Sequence, residues 1–267
     1  MLKALVFVGV AAAALPAFAD ERPSPMQPSE TWDVISYDVV ADAEIQDGSA
    51  FYTLEAPFRA EDAATVPVHL TQAPGAPDAR RLILVIDENP APVAAEFTFG
   101  PAMSPLDLES RVRVNANSNV RAIVEAEDGA LYMTGRFVRG SGGCSAPAAK
   151  DAAAALAALG QMKVRWYDTE PVAQSSERRE AQVMLRHPNY SGLQRNQLTL
   201  LYIPAHFVDT MEVRQGDDLL FSMTGGISIS EDPTFRFTYA DNGAGELSVV
   251  ATDTAGATFE GRFSPGM

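Results

Sequence analysis

Cysteine is almost absent from this chain of 267 residues, because Cys144 is the only one. A disulfide framework needs cysteines in pairs, so no disulfide within the chain can stabilise the fold. Histidine is also scarce, and His69, His187 and His206 do not show the sequence spacing of a zinc site. The sequence also lacks a phosphate-binding loop, a dinucleotide fingerprint and a Cys-x-x-Cys-His haem site. We therefore expect neither a metal nor a cofactor.

Positive charge is in deficit, with 20 Lys and Arg against 35 Asp and Glu, giving a formal net charge of −15. An acidic surface repels phosphate backbones and anionic lipids, so we expect no binding of nucleic acid or membranes. It favours partners that present basic patches. The alternative is that the charge only keeps the protein soluble. Apolar residues make up 46% of the chain, which argues against a disordered protein.

Long apolar runs are missing except at the amino terminus. The chain starts with a positive charge at Lys3, continues through an apolar stretch, and reaches the small residues Ala17 and Ala19 just before Asp20. This order is typical of a cleaved signal peptide at residues 1–19, and the stretch is short for a membrane span. A retained anchor is the alternative. The pattern predicts export across the inner membrane to the periplasm, with the mature chain starting near Asp20.

Short apolar runs rich in β-branched and aromatic residues dominate the mature chain. Residues 32–40 are the exception and predict a short helix capped by Ser29 or Thr31. The predicted strands of the first half are 51–54, 66–70, 82–86, 94–99, 111–114, 120–125 and 131–138. Those of the second half are 164–167, 182–186, 199–203, 207–213, 219–223, 235–239, 247–251 and 258–263. About seven strands in each half, with regular turns between them, predict an all-β chain with two tandem β-sandwiches.

The two halves are separated by a run of small residues around the cysteine, namely Gly140, Ser141, Gly142, Gly143, Cys144 and Ser145. An alanine-rich helix is predicted over residues 148–159, with Pro147 near its first turn and Gly160 at its end. The expected domains are therefore 20–139 and 162–267, joined by an arm and linker helix at 140–161. Because glycine is costly to order, we expect this arm to be mobile and unpacked.

Cys144 is the main candidate for a functional residue. It precedes the predicted helix, whose amino terminus favours anions and would lower the pKa of the thiol, and Arg139 and Lys150 would add positive potential. An incidental cysteine in a plain linker, a buried inert cysteine and a thiol–imidazole pair with His206 remain as alternatives.

Two other short segments are expected to be structural. His187 precedes Pro188 and is typical of a turn. Asp87-Glu88-Asn89 forms an acidic turn, for which a structural or docking role is favoured over a catalytic one.

Several motifs resemble proteins of bacterial sulfur oxidation. Gly142-Gly143-Cys144, after strand 131–138, resembles the carrier arm of SoxY. The second half resembles its partner subunit SoxZ at His187-Pro188, Ser191-Gly192-Leu193, Ile203-Pro204-Ala205-His206-Phe207-Val208 and Ser228-Ile229-Ser230-Glu231-Asp232-Pro233-Thr234-Phe235. The whole mature chain resembles the fused SoxYZ-like carriers associated with quinoprotein dehydrogenases, in particular at residues 56–64 and 85–93.

The resemblance implies two immunoglobulin-like sandwiches and a carrier role without catalysis. SoxY holds sulfur intermediates covalently on its arm cysteine and presents them to separate periplasmic enzymes. Cys144 would be the attachment point, and the partners would be redox or sulfur-oxidising enzymes, including a quinoprotein dehydrogenase and a c-type cytochrome. The alternatives are an accessory docking protein for such a dehydrogenase with no covalent cargo, and a one-cysteine peroxidase.

The chain departs from the family pattern after the cysteine. The SoxY arm ends its chain, whereas here Ser145-Ala146-Pro147 lead into a second half, so the arm is tethered at both ends. This difference leaves open whether the cargo derives from thiosulfate. The two halves are expected to pack face to face, as the separate subunits of the family do.

Overall fold

The computed structural model describes residues 24–147, 152–167, 178–197 and 199–265. The predicted signal peptide at residues 1–19 lies outside the described residues, and so do Lys150 and the first part of the predicted linker helix. Within the described part of the chain, no helix is long and apolar enough to cross a membrane.

Strands make up nearly all of the regular structure, as predicted. Helix α1 spans Glu30–Val40 and starts where expected, because Ser29 Oγ accepts a hydrogen bond from the Trp32 backbone N–H at 3.1 Å. Helix α2 spans Ala152–Ala157. The first-half strands are β1 (Ile45–Asp47), β2 (Tyr52–Glu55), β3 (Val66–Gln72), β4 (Ala79–Ile86), β5 (Val93–Phe99), β6 (Asp107–Val112), β7 (Ser118–Ala126) and β8 (Leu131–Val138). The second-half strands are β9 (Met162–Tyr167), β10 (Arg178–Leu185), β11 (Val208–Gln215), β12 (Asp218–Gly225), β13 (Thr234–Ala240), β14 (Leu247–Asp253) and β15 (Thr258–Phe263).

The two halves share both of their sheets. One sheet has nine strands in the order β1-β8-β7-β4-β5-β12-β11-β14-β15, and the other has six in the order β2-β3-β6-β13-β10-β9. The halves therefore join edge to edge, through antiparallel pairs β5–β12 and β6–β13. The prediction that they pack face to face is wrong. Pairing at these edges satisfies backbone groups that two separate sandwiches would leave exposed.

A single apolar core runs through this junction. Phe97 of the first half lies 6.1 Å from Phe221 and 5.8 Å from Phe235 of the second half, measured between ring centroids. All three side chains are buried and belong to one cluster that draws residues from both halves. The predicted pair of tandem immunoglobulin-like sandwiches is confirmed, and the two share one apolar core across their junction.

Two predicted strands are misplaced. The segment predicted at 199–203 is not a strand, and Leu200, Leu201 and Tyr202 are exposed. Its apolar residues lie on a surface loop, in which the Asn196 N–H donates to Leu201 O at 2.9 Å. The strand predicted at 111–114 ends at Val112, because residues 113–115 bond to the arm and to a loop of the second half.

Candidate functional site

The arm is folded into the protein. Cys144 lies in a single turn of 3-10 helix, Gly143–Ser145, and its relative exposure is 0%. The expectation of a mobile, unpacked arm is therefore wrong for this structure. On one side the arm packs against Ala63 and residues 113–115 of the first half, and on the other it meets residues 189–191 of the second half through Ser191. We call these residues the arm seat.

Close approach of backbones explains the glycine at position 143. A Cβ added to Gly143 would lie 2.0 Å from the carbonyl oxygen of Ala63 and 2.7 Å from that of Val114. The backbone N–H groups of the arm donate to the same wall, from Gly142 to Asn115 O at 2.8 Å and from Gly143 to Val114 O at 3.1 Å. The arm is thus built from small residues so that it can pack closely, which is a second use of glycine besides mobility.

The first-half wall is held in place by Asn89, from the predicted acidic turn. Its side-chain NH2 donates to Arg113 O at 2.7 Å and to Ser228 Oγ at 2.9 Å, and its Oδ1 accepts from the Asn115 N–H at 2.8 Å. Asn89 is only 4% exposed, so these bonds form away from solvent. The predicted structural role of this turn agrees with these contacts, since Asn89 fixes the wall of the arm seat.

The second-half wall comes from the motif that follows His187. Ser191 Oγ donates a hydrogen bond to the carbonyl of Cys144. Asn189 adopts a left-handed backbone with φ 42°, and its side chain accepts from Val208 N–H and donates to Ser230 O, both at 3.1 Å. Ser191, Val208 and Ser230, each from a segment that resembles SoxZ, are therefore brought together here, and Ser191 bonds directly to the arm.

Arg113 is the site residue that sequence reasoning missed. It is 1% exposed, and its guanidinium donates through Nη1 to Gly143 O and through Nη2 to Asn189 O, each at 3.2 Å. It therefore links the arm to both halves. In the sequence Arg111-Val112-Arg113-Val114, strict alternation predicts that both arginines point to solvent, and no local signal distinguishes them.

The environment of the thiol differs from the predicted one. Burial raises the pKa of Cys144, and the positive charge of Arg113 opposes this shift only in part. Arg139 instead lies over the ring of Phe58, 5.8 Å from its centroid. The expectation of a lowered thiol pKa is therefore wrong.

Two of the three histidines meet at one carboxylate. His187 Nε2 lies 3.4 Å and His206 Nε2 2.7 Å from Asp253 Oδ2, and the two rings are 4.7 Å apart between centroids. His206 therefore contacts His187 and Asp253 rather than the thiol of Cys144. His69 lies elsewhere, on β3, with Asp107 Oδ1 at 2.8 Å from its Nε2.

The donor atoms of His187, His206 and Asp253 lie within 4.8 Å of one another, a separation that would suit a metal ion. However, His187 Nδ1 accepts the Asn189 N–H at 3.0 Å, which assigns the ring proton to Nε2, where it points at Asp253. A metal ligand needs a free lone pair at that nitrogen. The group is better described as a hydrogen-bonded network.

Electrostatics support this description. Burial and the neighbouring His206 lower the pKa of His187, which keeps the ring neutral. Burial alone would raise the pKa of Asp253, but hydrogen bonds from His206, the Ala257 backbone and His187 outweigh it and lower that pKa. The network ties the 187–191 loop, and with it one wall of the arm seat, to the end of β14.

Comparison with known proteins gives matches to two families in tandem. The family of Sulfur oxidation protein SoxY matches residues 37–144, and that of Sulphur oxidation protein SoxZ matches residues 164–264. Among curated proteins, none matches the chain.

Solved structures with local similarity include three of different kinds. The sulfur carrier protein SoxY from Chlorobium limicola f thiosulfatophilum is 28% identical and covers 41% of this chain and 94% of its own, with a TM-score of 0.35. A superoxide reductase (neelaredoxin) from Ignicoccus hospitalis is 15% identical over 33% of this chain and 78% of its own, with a TM-score of 0.30. A β-glycosidase from Bacteroides vulgatus is 9% identical over 80% of this chain and 24% of its own, with a TM-score of 0.25.

The two family matches divide the chain where the structure places the arm. The SoxY match ends at Cys144, and the SoxZ match begins after α2, within β9. Together they leave unmatched only the amino terminus, the linker between the halves and the last residues. The chain is therefore a fused SoxYZ-like protein, with a SoxY half followed by a SoxZ half.

Proposed function

We propose that this protein is a periplasmic carrier that holds a sulfur-containing intermediate covalently on Cys144 and presents it to partner enzymes. The SoxY and SoxZ halves support a sulfur carrier role in sulfur oxidation. The observation that carries the proposal is the position of Cys144: the only cysteine of the chain stands where the SoxY match ends, between the two halves.

The proposed carrier chemistry takes place at one atom of the protein, the Sγ of Cys144. The Cys144 thiolate attacks a sulfur atom of a polysulfide-type donor, a new S–S bond forms, the donor S–S bond breaks, and the leaving sulfide takes up a proton. Within the described residues, the arm forms hydrogen bonds with backbone groups, with Ser191 and with Arg113. Partner enzymes would supply the acid–base and redox chemistry.

Loading requires the arm to leave its seat, because Cys144 is fully covered. A few hydrogen bonds hold the arm, and it lies outside the strands that form the core. Segments of this kind open locally at far lower free energy than global unfolding. The carrier cycle would therefore alternate between a closed arm that shields the sulfur and an open arm that a partner can reach.

The periplasmic location rests on the signal-like sequence at residues 1–19. A sulfur-oxidising enzyme is the general partner class, and a quinoprotein dehydrogenase with a c-type cytochrome is the more specific proposal. The net charge of −15 favours partners whose docking faces are basic. Amino-terminal sequencing of the protein from the periplasmic fraction should begin at or near Asp20.

The second candidate is a docking protein for a dehydrogenase, without covalent cargo. The burial of Cys144 and its raised pKa favour this candidate, since both describe an inert thiol. The two candidates differ in whether the thiol can be loaded while the protein is folded.

Loading can be tested on the purified protein with inorganic polysulfide at neutral pH. We expect the intact mass to increase by one or more sulfur atoms, confined to the peptide that contains Cys144. Cyanide should remove the added sulfur as thiocyanate, and a Cys144→Ser variant, which changes a single atom, should gain no mass. A folded wild-type protein whose mass does not change would favour the docking candidate.

A further inference from the structure

Exposed apolar side chains are concentrated on one loop of the second half, residues 190–206, which we call the apolar loop. Among the described residues, eight large apolar side chains are exposed, and four of them lie on this loop: Leu193, Leu200, Leu201 and Tyr202. The last three follow one another in sequence and are each 60–70% exposed. Single exposed apolar residues are ordinary, but a cluster of them marks a surface that binds another molecule.

The apolar loop is held in a defined shape. At its base, Tyr190 N–H donates to His206 O at 2.7 Å, and His206 N–H donates to Tyr190 O at 2.9 Å. Near its tip, the guanidinium carbon of Arg195 lies 4.7 Å from the ring centroid of Tyr202, and Arg195 Nη2 donates to the Tyr202 hydroxyl at 3.1 Å. A surface that is already ordered loses little conformational entropy when a partner binds to it.

Leu200 is an unusual residue for its position at the tip. Its φ of 59° lies in the left-handed region, where glycine and asparagine are the common residues and a leucine is strained. Its side chain is also exposed, so the isolated chain gains no burial energy from it. A strained backbone that displays an apolar side chain to solvent points to a function for that side chain.

The charge of the apolar loop differs from that of the rest of the protein. Residues 187–208 contain no Asp or Glu, although the chain has 35 of them, and Arg195 is the one Lys or Arg of this segment. Few charges, together with arginine and tyrosine, are typical of the buried centre of a protein interface. A second copy of this chain is a poor occupant, because two chains of net charge −15 repel each other, and so do the chain and an anionic membrane.

The base of the apolar loop is bonded to the arm. Ser191 Oγ donates to the carbonyl of Cys144, and Ser191 N–H donates to Oε1 of the buried Gln194 at 3.1 Å. The five residues from Ser191 to Asn196 span at most about 17 Å at ~3.4 Å each. A standard interface covers about 800 Å² per partner, a patch roughly 30 Å across. A partner that covers the tip of the loop therefore also reaches the arm.

We propose that the apolar loop is the docking surface for an enzyme that acts on the sulfur of Cys144, and that an apolar cleft of this enzyme takes up Leu200, Leu201 and Tyr202. The inference rests on the proposed carrier function, because it assigns to that function the place where a partner binds. The contact would hold the active site of the partner beside the arm seat, where the arm opens.

The test measures how fast a partner removes sulfur from the loaded carrier. The wild-type protein and a Leu200→Asn, Leu201→Ser double variant are loaded with inorganic polysulfide. Each is then incubated with the dialysed periplasmic fraction of a host strain that lacks this protein, grown on reduced sulfur compounds. Intact mass follows the loss of sulfur over time, and the heat-treated fraction gives the background.

We expect kcat/KM for removal of the sulfur to fall about tenfold or more in the double variant, because two apolar contacts are lost. The loss should appear in KM, with kcat unchanged, since neither residue contacts Cys144. Leu201→Ser alone, which leaves position 200 untouched, should lower kcat/KM about threefold if the two effects are additive. Removal of the sulfur by cyanide needs no docking and should be equally fast in all variants.

Helix α1 supplies the matched control. Val34 and Tyr37 are exposed apolar residues as well, and glutamine at both positions removes a similar apolar surface while keeping a good helix former. The Val34→Gln, Tyr37→Gln variant should retain kcat/KM within about twofold of wild type. The melting temperature of the loop variants should match that of wild type, because their altered side chains lie in solvent.

Equal kcat/KM for the loop double variant and wild type would overturn the proposal, and so would a wild-type carrier that the active fraction unloads no faster than the heated one. Two further results would assign the loop to another occupant and also overturn it. One is a wild-type dimer in light scattering that the double variant does not form. The other is flotation of wild type, but not of the variant, with phosphatidylcholine vesicles. Failure of the carrier function looks different, because polysulfide then adds no sulfur to the folded protein.

Discussion

Replacement of Gly143 by alanine is expected to expel the arm from its seat and to make Cys144 react with neutral alkylating agents about 10- to 100-fold faster. The added Cβ would lie 2.0 Å from Ala63 O and 2.7 Å from Val114 O, and both are backbone atoms that cannot rotate away. Overpacking of this kind costs about 1–3 kcal/mol, and each 1.4 kcal/mol is roughly a factor of ten in the open fraction. The rate of carboxamidomethylation by iodoacetamide at fixed pH measures this fraction.

The control for this prediction is Gly245→Ala, since a Cβ there meets nothing within 4 Å. We expect it to leave the alkylation rate unchanged. The melting temperature of Gly143→Ala should fall only slightly, because the arm lies outside the strands. An unchanged alkylation rate in Gly143→Ala would mean that the closed arm described here is not the state that protects the thiol.

Replacement of Asp87 by asparagine is expected to cause the largest loss of stability, about 3–5 kcal/mol in the free energy of unfolding. Asp87 accepts from Arg121 Nε at 2.7 Å and Nη2 at 2.8 Å, and both side chains are at most 5% exposed. Arg121 also stacks on Trp32 of α1, 4.5 Å from the ring centroid. Loss of the carboxylate therefore leaves a buried guanidinium without a counter-ion and loosens α1 as well. Urea unfolding at neutral pH measures the change.

An exposed ion pair supplies the comparison. Arg81 and Glu96 are paired on neighbouring strands with side chains 37% and 41% exposed, so Glu96→Gln should cost less than about 1 kcal/mol. Sulfur loading of Asp87→Asn should match wild type under conditions where the variant stays folded, because the residue is structural. A loss of loading in folded protein would instead assign Asp87 a part in the carrier chemistry.

The local sequence pattern predicted most of the strands, but not which strands lie next to one another in the sheets. The bounds of β8 and β15 agree with the predicted 131–138 and 258–263, because alternation of apolar and polar residues reports burial of one face. The edge pairs β5–β12 and β6–β13 were not predicted, since alternation does not encode which strand lies alongside. The strand prediction at 199–203 was wrong for a related reason. The composition of a segment does not show whether a sheet edge is available for it to pair with.

The sequence predicted the candidate functional residue, but it did not predict the surroundings of that residue. A lone cysteine in a glycine-rich segment identified Cys144 as the residue to examine. Its burial depends on Ala63, Arg113 and Ser191, which come from three distant parts of the chain and have no common local signal. The same glycines that predict mobility also permit close packing, and only the tertiary contacts decide between the two.

The most direct measurement of the central claim is the intact mass of this protein purified from the periplasm of its native host during growth on reduced sulfur compounds. The carrier account predicts a population with additional sulfur-containing mass, located on the Cys144 peptide and removed by a thiol reductant. A bare thiol under every growth condition, together with wild-type sulfur oxidation in a Cys144→Ser strain, would contradict it.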